Sequence, residues 1–566
     1  MAFFLVVATI AISLLAWYSF NFLQSYNKAR RIGLPLIFSP FDPWGLFWML
    51  GGAFLGPLLL RLPFGLGEFV NHIKSDWYYL NRNALHQKLG PAFILVSPNR
   101  IQVVLGDGVA VEDVLTKRHK EFPKLPELYQ GLKVFGNNLE TAEGDDWRRH
   151  RKLTVPSFNE RNISSSNGIC KSNIVWRASL TQARGMLNSW VSAGKSGVTC
   201  TASDTMTVAL HVLTAAGFGK DYSFQPSESR DCTVIKGEKL SFEVALGAVL
   251  DSFMGVVISS AFPTASEFLA KYMSKKVDSM KFTVTEFKRN LREMIEEERA
   301  VLKTKSSEKS NLMSALVRAS DLEGTQGDGK RTLTEEELYG NLFIFTFAGH
   351  ETTANALMYA TALLAVNKHV QSWIREEIHS VIGKSLDTES WEYEKLFPQL
   401  KRCLAVMYET TRLYGPVIAL PKSTGSTPST LTIQGKEYIF PAHSDVMLNM
   451  VNVHHSPEFW GPTPGHSAQN AGSSRTAQQA PKNSCSRPMV ATYPGQPGLE
   501  FALERKFVAV IASLFQRHRV QPVPQPGETI EVASKALSEA IEDSECVLTL
   551  KMRYPEKARL EWEADT

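Results

Sequence analysis

The chain has 566 residues, 44% hydrophobic and 21% charged, the balance of a globular protein with material for one large domain or several smaller ones. Lys plus Arg exceed Asp plus Glu by only 61 − 57 = 4, and no basic run carries interleaved aromatics, so nucleic acid is excluded as a partner. The six cysteines (Cys170, Cys200, Cys232, Cys403, Cys485, Cys546) are scattered without a C-x-x-C pair, which argues against a zinc site or a disulfide framework and for a reducing, cytosol-facing body.

No charged residue stands between Met1 and Asn27, and Ala2 to Leu23 is nearly all apolar, long enough to cross a bilayer core. The positive charges come after the run, at Lys28, Arg30 and Arg31, where a cleaved signal would carry them ahead of it. Residues 1–27 therefore read as an uncleaved anchor with the body in the cytoplasm. Pro35, Pro40 and Pro43 punctuate the next stretch. Leu46 to Leu60 is apolar but short, and holds Gly51, Gly52, Gly56 and Pro57. Such a stretch lies on the membrane surface or packs on the body. Residues 28–63 are taken as a proline-rich hinge and membrane-surface segment, and 64–566 as a single large domain.

Ala92 to Leu105 carries β-branched runs on either side of Ser97-Pro98-Asn99-Arg100, the pattern of a hairpin. Asp145 to Leu302 is mainly helical by its spacing of three and four, with a Ser/Gly/Asn-rich loop insertion over Ile163 to Lys171. Ser306 to Arg331, polar and holding three glycines, reads as a mobile loop. Helices are expected over Val370 to Val381 and Leu400 to Leu413, and strands over Thr430 to Pro441, Val446 to Val453 and Cys546 to Arg553. The fold class is mainly α with small β-sheets, behind an N-terminal transmembrane helix.

The most informative stretch runs from Thr334 to Asn367. Thr334-Glu335-Glu336-Glu337 is a capping box before an apolar run, and no proline interrupts it, so one helix about 50 Å long is predicted. Leu342 to Phe347 is apolar on every side, as in a helix buried all round. Into it the chain places Gly349, His350, Glu351, Thr352 and Thr353. A glycine there costs about 1 kcal/mol relative to alanine, and buried polar groups cost more unless paired. By itself the patch is equally compatible with a packing glycine and satisfied polar residues.

Two other motifs carry charge in register. Glu409-Thr410-Thr411-Arg412 sets a carboxylate and a guanidinium on one helical face, although an exposed pair of this kind is worth little. Trp147-Arg148-Arg149-His150-Arg151 sets an aromatic and a cation four residues apart, suited either to gripping a carboxylate or to a solvated basic face.

Taken in order, Trp147-x-x-x-Arg151, Ala348-Gly349-His350-Glu351-Thr352-Thr353 and Glu409-x-x-Arg412 resemble the cytochrome P-450 superfamily of haem-thiolate monooxygenases. The anchor, the proline hinge and Pro457-Glu458-Phe459-Trp460-Gly461 resemble its microsomal fungal members. The resemblance implies that Trp147 and Arg151 hold a haem propionate and that Glu409 and Arg412 form a buried core pair. It further implies that Thr352 and Glu351 relay protons to dioxygen, with Gly349 leaving the helix room to open. It carries with it a haem iron, an NADPH-dependent flavoprotein reductase, an apolar small-molecule substrate, and a single-pass place in the endoplasmic reticulum membrane.

The family's ligand loop, Phe-x-x-Gly-x-Arg-x-Cys-x-Gly, is missing. Gly461 to Thr492 holds no Leu, Ile, Phe, Trp or Tyr, the composition of a disordered segment, and 459–506 is set apart as aberrant. Codons for Met489-Val490 contain a tryptophan codon one base along, and with Pro488 they encode the Pro-Trp that many fungal members carry before the cysteine. Pro497-Gly498-Leu499-Glu500-Phe501-Ala502 resembles the segment after the ligand. These features read as a frame or splice error. Alignment puts Gln496 or Tyr493 at the ligand position. The only cysteine nearby, Cys485, lacks the flanking arginine and glycine, and is either the iron ligand or an exposed loop thiol. The expected activity is monooxygenation; the alternative is a non-catalytic, membrane-tethered protein that keeps the fold.

Overall fold

The structure is a computed structural model that describes residues 2–154, 171–227, 239–252, 255, 274–304, 311–321, 332–383, 390–461 and 497–565. Its centre is one helix, Glu335–Val366, started by Thr334. The Thr334 hydroxyl accepts from the Glu337 amide at 3.2 Å, and the Glu337 carboxylate accepts from the Thr334 amide at 2.9 Å. Both halves of the predicted capping box are present.

Two hydrophobic cores meet along this helix. Leu338 to Phe345 belongs to one, shared with Phe287, Leu291, Leu316 and Phe135. Ala356 to Ala365 belongs to the other, shared with Trp176, Trp190, Met407 and the Phe507–Phe515 face of helix Pro497–Phe515. The polar patch lies between the two cores. Helices Thr201–Phe218, Lys401–Leu413, Pro497–Phe515 and Ile530–Glu542 pack around the long helix.

A five-stranded sheet forms the second layer, in the order Leu36–Phe38, Ala92–Ser97, Arg100–Leu105, Asp445–Asn449, Ala419–Ser423. The predicted hairpin is its middle, in register Ser97↔Arg100 to Ala92↔Leu105, and Asn99 turns it with φ +66°. Ser429–Ile433 and Lys436–Phe440 pair separately across Gln434 and Gly435. Both turn residues have positive φ, which matches the right-handed twist of the strands.

Several boundaries differ from those expected. Inside Ser306–Arg331 the chain forms helix Leu312–Asp321, with Leu312, Met313, Leu316 and Val317 buried. Asn311 and Ser314 cap it reciprocally at 3.0 and 2.7 Å. Its polar, glycine-bearing flanks hid a short amphipathic period. The strand expected over Val446–Val453 ends at Asn449, whose side chain accepts from the Asn452 amide at 3.0 Å and starts helix Met450–His455. Cys546–Arg553 is two pieces of a hairpin, Ser544–Cys546 and Leu550–Met552. Lys171, read as loop, opens helix Lys171–Ser192. The aberrant stretch 459–506 is helical at both described ends, in Pro457–Trp460 and in Pro497–Phe515. The N-terminal helix runs Ala2–Ile32, past Asn27, because Ala29 and Ile32 bury against the sheet.

Candidate active site

Of the residues Asn341 to Ala362 in the long helix, only Phe347, Ala348, Glu351 and Thr352 are half-open; all the others are buried. Positions separated by one, three and one fall on a single helical face. The buried helix therefore presents one window, and the sequence-predicted Glu351 and Thr352 are in it. Gly349 is buried behind them. Thr352 donates from Oγ1 to the Ala348 carbonyl at 2.7 Å, and Thr353 to the Gly349 carbonyl at 2.9 Å. Two hydroxyls in succession return to i−4 carbonyls here, an arrangement that competes with the amide ladder in a helix that nonetheless stays continuous.

His350 points away from the window. Its Nε2 lies 3.0 Å from the Met206 carbonyl, and its Nδ1 is buried without a partner. Burial, and the Lys506 ammonium beside it, push its pKa down to about 4, so it is a neutral core histidine.

Trp147 and Arg151 lie on helix Gly144–Thr154. The Arg151 guanidinium sits 5.0 Å from the Trp147 ring, half-buried, and has no carboxylate partner among the described residues. Its neighbours on the same helix do something else. Arg149 donates to Asp146 at 2.6 Å and to Glu337 Oε2 at 2.9 Å. His150 is fully buried, with Nδ1 3.0 Å from Asn341 Nδ2 and Nε2 3.3 Å from Glu337. Asp146, His150 and Glu337 bring potential ligand atoms within 4.8 Å of one another. Arg149 bonds both carboxylates, so the cluster is an ion-pair knot neutralised by its own cation rather than a metal site.

Glu409 and Arg412 form the predicted pair on helix Lys401–Leu413. Two parallel bonds of 2.8 Å join them, Nε to Oε2 and Nη2 to Oε1. Arg412 is buried, donates to the His454 carbonyl at 2.6 Å, and stacks on Trp460 at 4.7 Å. Tyr408, on the same helix, donates to Glu504 at 2.5 Å. Arg412 thus holds Trp460, near the start of the aberrant stretch 459–506, while Tyr408 holds Glu504, near its end.

Sequence reasoning missed two features. Lys422, buried on strand Ala419–Ser423, bridges to Lys124, and burial with that second ammonium pulls its pKa down. Lys124 donates to the carbonyls of Leu139, Glu140 and Ala142, which lead into the Trp147 helix. A lysine on the inner face of a strand was the only available signal. The second is a crossing of bare backbone. A side chain on Gly340 would meet the Gly136 carbonyl at 2.5 Å, so the loop before Trp147 lies directly on the long helix.

These features suit a planar, acidic macrocycle such as haem. The described residues offer a cation with no acid of its own, stacked on an indole, and one open face on a dry helix. The iron ligand is not among them. Burial drives the Cys403 thiol far above its ordinary pKa and the Cys546 thiol to about 12, so neither provides a thiolate. Cys200 donates from Sγ to the Asp204 carboxylate at 3.1 Å. Cys485, Tyr493 and Gln496 fall outside the described residues.

Comparison with known proteins agrees with this geometry. The family model "Cytochrome P450" matches residues 61–466, and stops where the ligand loop should begin. The chain is 28% identical to a cytochrome P450 monooxygenase of Arthrobotrys oligospora, over 94% of each protein. It is 29% identical to one of Penicillium roqueforti, over 77% of this chain and 74% of that one. It is 27% identical to the phomenoic acid biosynthesis cluster cytochrome P450 monooxygenase of Leptosphaeria maculans, over 96% of each. Named monooxygenases at such coverage favour the catalytic reading over a tethered, inactive one. With a family model covering residues 61–466, well over half of its length, the chain belongs to the cytochrome P450 family, the haem-thiolate monooxygenases.

Proposed function

We propose that the chain oxidises an apolar small molecule of secondary metabolism at the window formed by Phe347, Ala348, Glu351 and Thr352. Its electrons come from an NADPH-dependent flavoprotein reductase. The N-terminal helix holds it in the endoplasmic reticulum membrane, with the body on the cytosolic side. One observation carries the reading: in a helix otherwise buried, the open face coincides with the residues that can hold and pass a proton.

A bound haem supplies dioxygen activation and the insertion of one oxygen atom. The rest is done by side chains. Arg151 offers a planar fork to a propionate carboxylate, and Trp147 keeps that fork in place by stacking. Thr352 Oγ1 rests its proton on the Ala348 carbonyl, and Glu351, one residue earlier on the same face, brings a carboxylate within the window. Together they deliver protons to the reacting face. Gly349 leaves this turn without a side chain to clash when it opens. Phe347 and Ala348 supply the apolar wall. Arg412, held by Glu409, ties helix Lys401–Leu413 to the His454 carbonyl, and Tyr408 on the same helix ties it to Glu504.

The stretch 459–506 is read as a frame or splice error, which replaced the ligand loop and left Cys485 as the only thiol there. Two measurements test the proposal together. Genomic DNA over residues 459–507, read in three frames, is expected to yield Phe-x-x-Gly-x-Arg-x-Cys-x-Gly. Protein with that loop restored is expected to show a thiolate-type Soret band when reduced under carbon monoxide; the chain as written is not. If the chain as written gives the band and Cys485→Ser removes it, Cys485 is the ligand and the frame reading fails. Restored protein that binds haem stoichiometrically yet oxygenates no apolar compound would overturn the proposed function.

A further inference from the structure

Tyr359 lies seven residues beyond Thr352 on the long helix, on the same face and about 10 Å further along the axis. It is buried, and its ring stacks on Tyr414 at 4.7 Å between centroids, with 15° between the planes. Tyr79, also buried, comes next, 6.4 Å from the Tyr414 ring and within the range of interacting aromatic pairs. The Arg82 guanidinium sits 5.6 Å from the Tyr79 ring, and its ion pair with Glu542 is part-exposed. Three phenols in a row thus lead from the window's own helix to the surface.

Their hydroxyls have unequal partners. Ser544 donates to the Ile541 carbonyl at 2.8 Å, so Tyr359 donates to the Ser544 oxygen at 2.7 Å. Tyr79 donates to the Glu542 backbone carbonyl at 3.3 Å. Tyr414, the middle ring, donates to Glu542 Oε1 at 2.7 Å, while Arg82 holds the other carboxylate oxygen. Burial is the largest cause that raises all three phenol pKa values, that of Tyr79 to about 12, so each stays protonated at neutral pH. A phenol that gives up an electron becomes a strong acid, and it holds a neutral radical only if a base takes its proton. An alcohol and a peptide carbonyl are poor bases, and a carboxylate is a good one. Packing alone asks only that each buried hydroxyl find an acceptor. It does not ask for a row of rings running from the oxygen-side window with a carboxylate at the middle one.

We infer that Tyr359, Tyr414 and Tyr79 form an electron conduit, which reduces oxidising equivalents left at the window when no substrate takes them. The inference rests on the reading of that window as the place where oxygen is activated. Tyr359 gives one electron to the oxygen-derived oxidant and regains it from Tyr414, whose phenolic proton passes to Glu542 Oε1. The step leaves the oxidant reduced by one electron, a neutral phenoxyl radical at Tyr414 and a protonated Glu542. A thiolate or ascorbate anion at the surface then returns the electron by way of Tyr79, and Glu542 returns the proton. Only the phenolic O–H bond is broken and remade, and the chain ends as it began.

The test uses loop-restored protein with bound haem and no substrate, mixed with hydrogen peroxide and frozen within seconds. Electron paramagnetic resonance is expected to show a neutral tyrosyl radical, whose signal narrows when ring-deuterated tyrosine is incorporated. Tyr359→Phe and Tyr414→Phe keep the rings and should each lower that signal several-fold, as should Glu542→Gln. Tyr393→Phe, at a buried tyrosine stacked elsewhere on Phe397, should not. With NADPH and reductase but no substrate, Tyr414→Phe is expected to bleach its haem several-fold faster per NADPH consumed. With substrate present its product yield should be unchanged, which also shows that the variant is folded. A radical that persists in full in Tyr414→Phe overturns the conduit. So does the absence of any radical in restored protein that oxygenates normally, which leaves the proposed function standing. Restored protein that neither oxygenates an apolar compound nor yields the radical loses both.

Discussion

Arg149 donates to both carboxylate oxygens of Glu337, the residue that also closes the capping box of the long helix. One carboxylate thus starts the central helix and ties it to the helix of Trp147 and Arg151. Burial opposes its charge, but hydrogen bonds from His150 and Arg149 win and pull its pKa far below the carboxylate range. A depressed carboxylate stabilises the fold above its unfolded pKa and loses that contribution only in strong acid, so the tie holds across the physiological range. Arg149→Ala is expected to cost about 1–3 kcal/mol, since it removes the main cation from a buried carboxylate. Glu337→Gln, which keeps the shape, should cost less. Urea-denaturation midpoints of the two variants check the order.

Arg151 is a different kind of cation, stacked on Trp147 with no acid beside it among the described residues. Arg151→Ala is expected to leave the denaturation midpoint nearly unchanged. It should nevertheless speed haem loss from loop-restored protein roughly 10-fold or more, the value of a charge-assisted hydrogen bond. Transfer of haem to an apo-globin acceptor gives the rate. A loss of stability with no change in haem transfer would make Arg151 structural.

Arg412→Ala leaves the Glu409 carboxylate without its bidentate partner and empties the face of Trp460. Breaking a buried pair costs about 3–5 kcal/mol, a large share of the stability of any domain. Arg412→Lys keeps the charge but not the fork, and is expected to recover less than half of the loss. Both are read from the yield of folded protein and the thermal midpoint.

His350, His454 and His455 are buried neutral, with pKa values pushed down to about 4, 3 and 4, burial being the largest cause in each. In the unfolded chain each takes a proton below about 6.5. Between about pH 6.5 and pH 4 the unfolded state therefore binds more protons, and stability falls as pH falls. The thermal midpoint is expected to drop steadily over that window. His350→Asn should flatten the slope by about one proton's share, whatever it does to stability at pH 8.

Thr352→Val removes the hydroxyl that rests on the Ala348 carbonyl while keeping the side-chain volume. In loop-restored protein, NADPH consumption should continue while product falls roughly 10-fold or more and hydrogen peroxide rises, as expected when a proton-delivering group is lost. Thr352→Ser is expected to restore most of the coupling. Unchanged product per NADPH in the valine variant would assign the proton path elsewhere.

Much of this molecule was legible as sequence because local rules governed it. The capping box at Thr334, the uninterrupted run to Asn367, the hairpin around Pro98-Asn99 and the three charged motifs all depend on residues within a few positions of one another. Helix Leu312–Asp321 was not legible, since four buried apolar residues among polar flanks make too short a period, and only burial against the Phe287–Leu291 face stabilises them. The split of Val446–Val453 escaped for a similar reason: the Asn449 cap is strong only once Asn452 is placed under it.

The site divides in the same way. From Trp147-x-x-x-Arg151, Ala348 to Thr353 and Glu409-x-x-Arg412, sequence by itself identified the family and the residues to watch, because spacing on a helix determines which side chains share a face. It equally revealed the missing ligand loop. Only the tertiary structure sorted neighbours by role: Arg149 to Glu337 but Arg151 to the Trp147 ring, Glu351 and Thr352 to the window but His350 to the Met206 carbonyl. Only it brought Lys422 beside Lys124. The physical reason is that a side chain's role is set by what buries or bonds it, and those partners come from segments hundreds of residues apart.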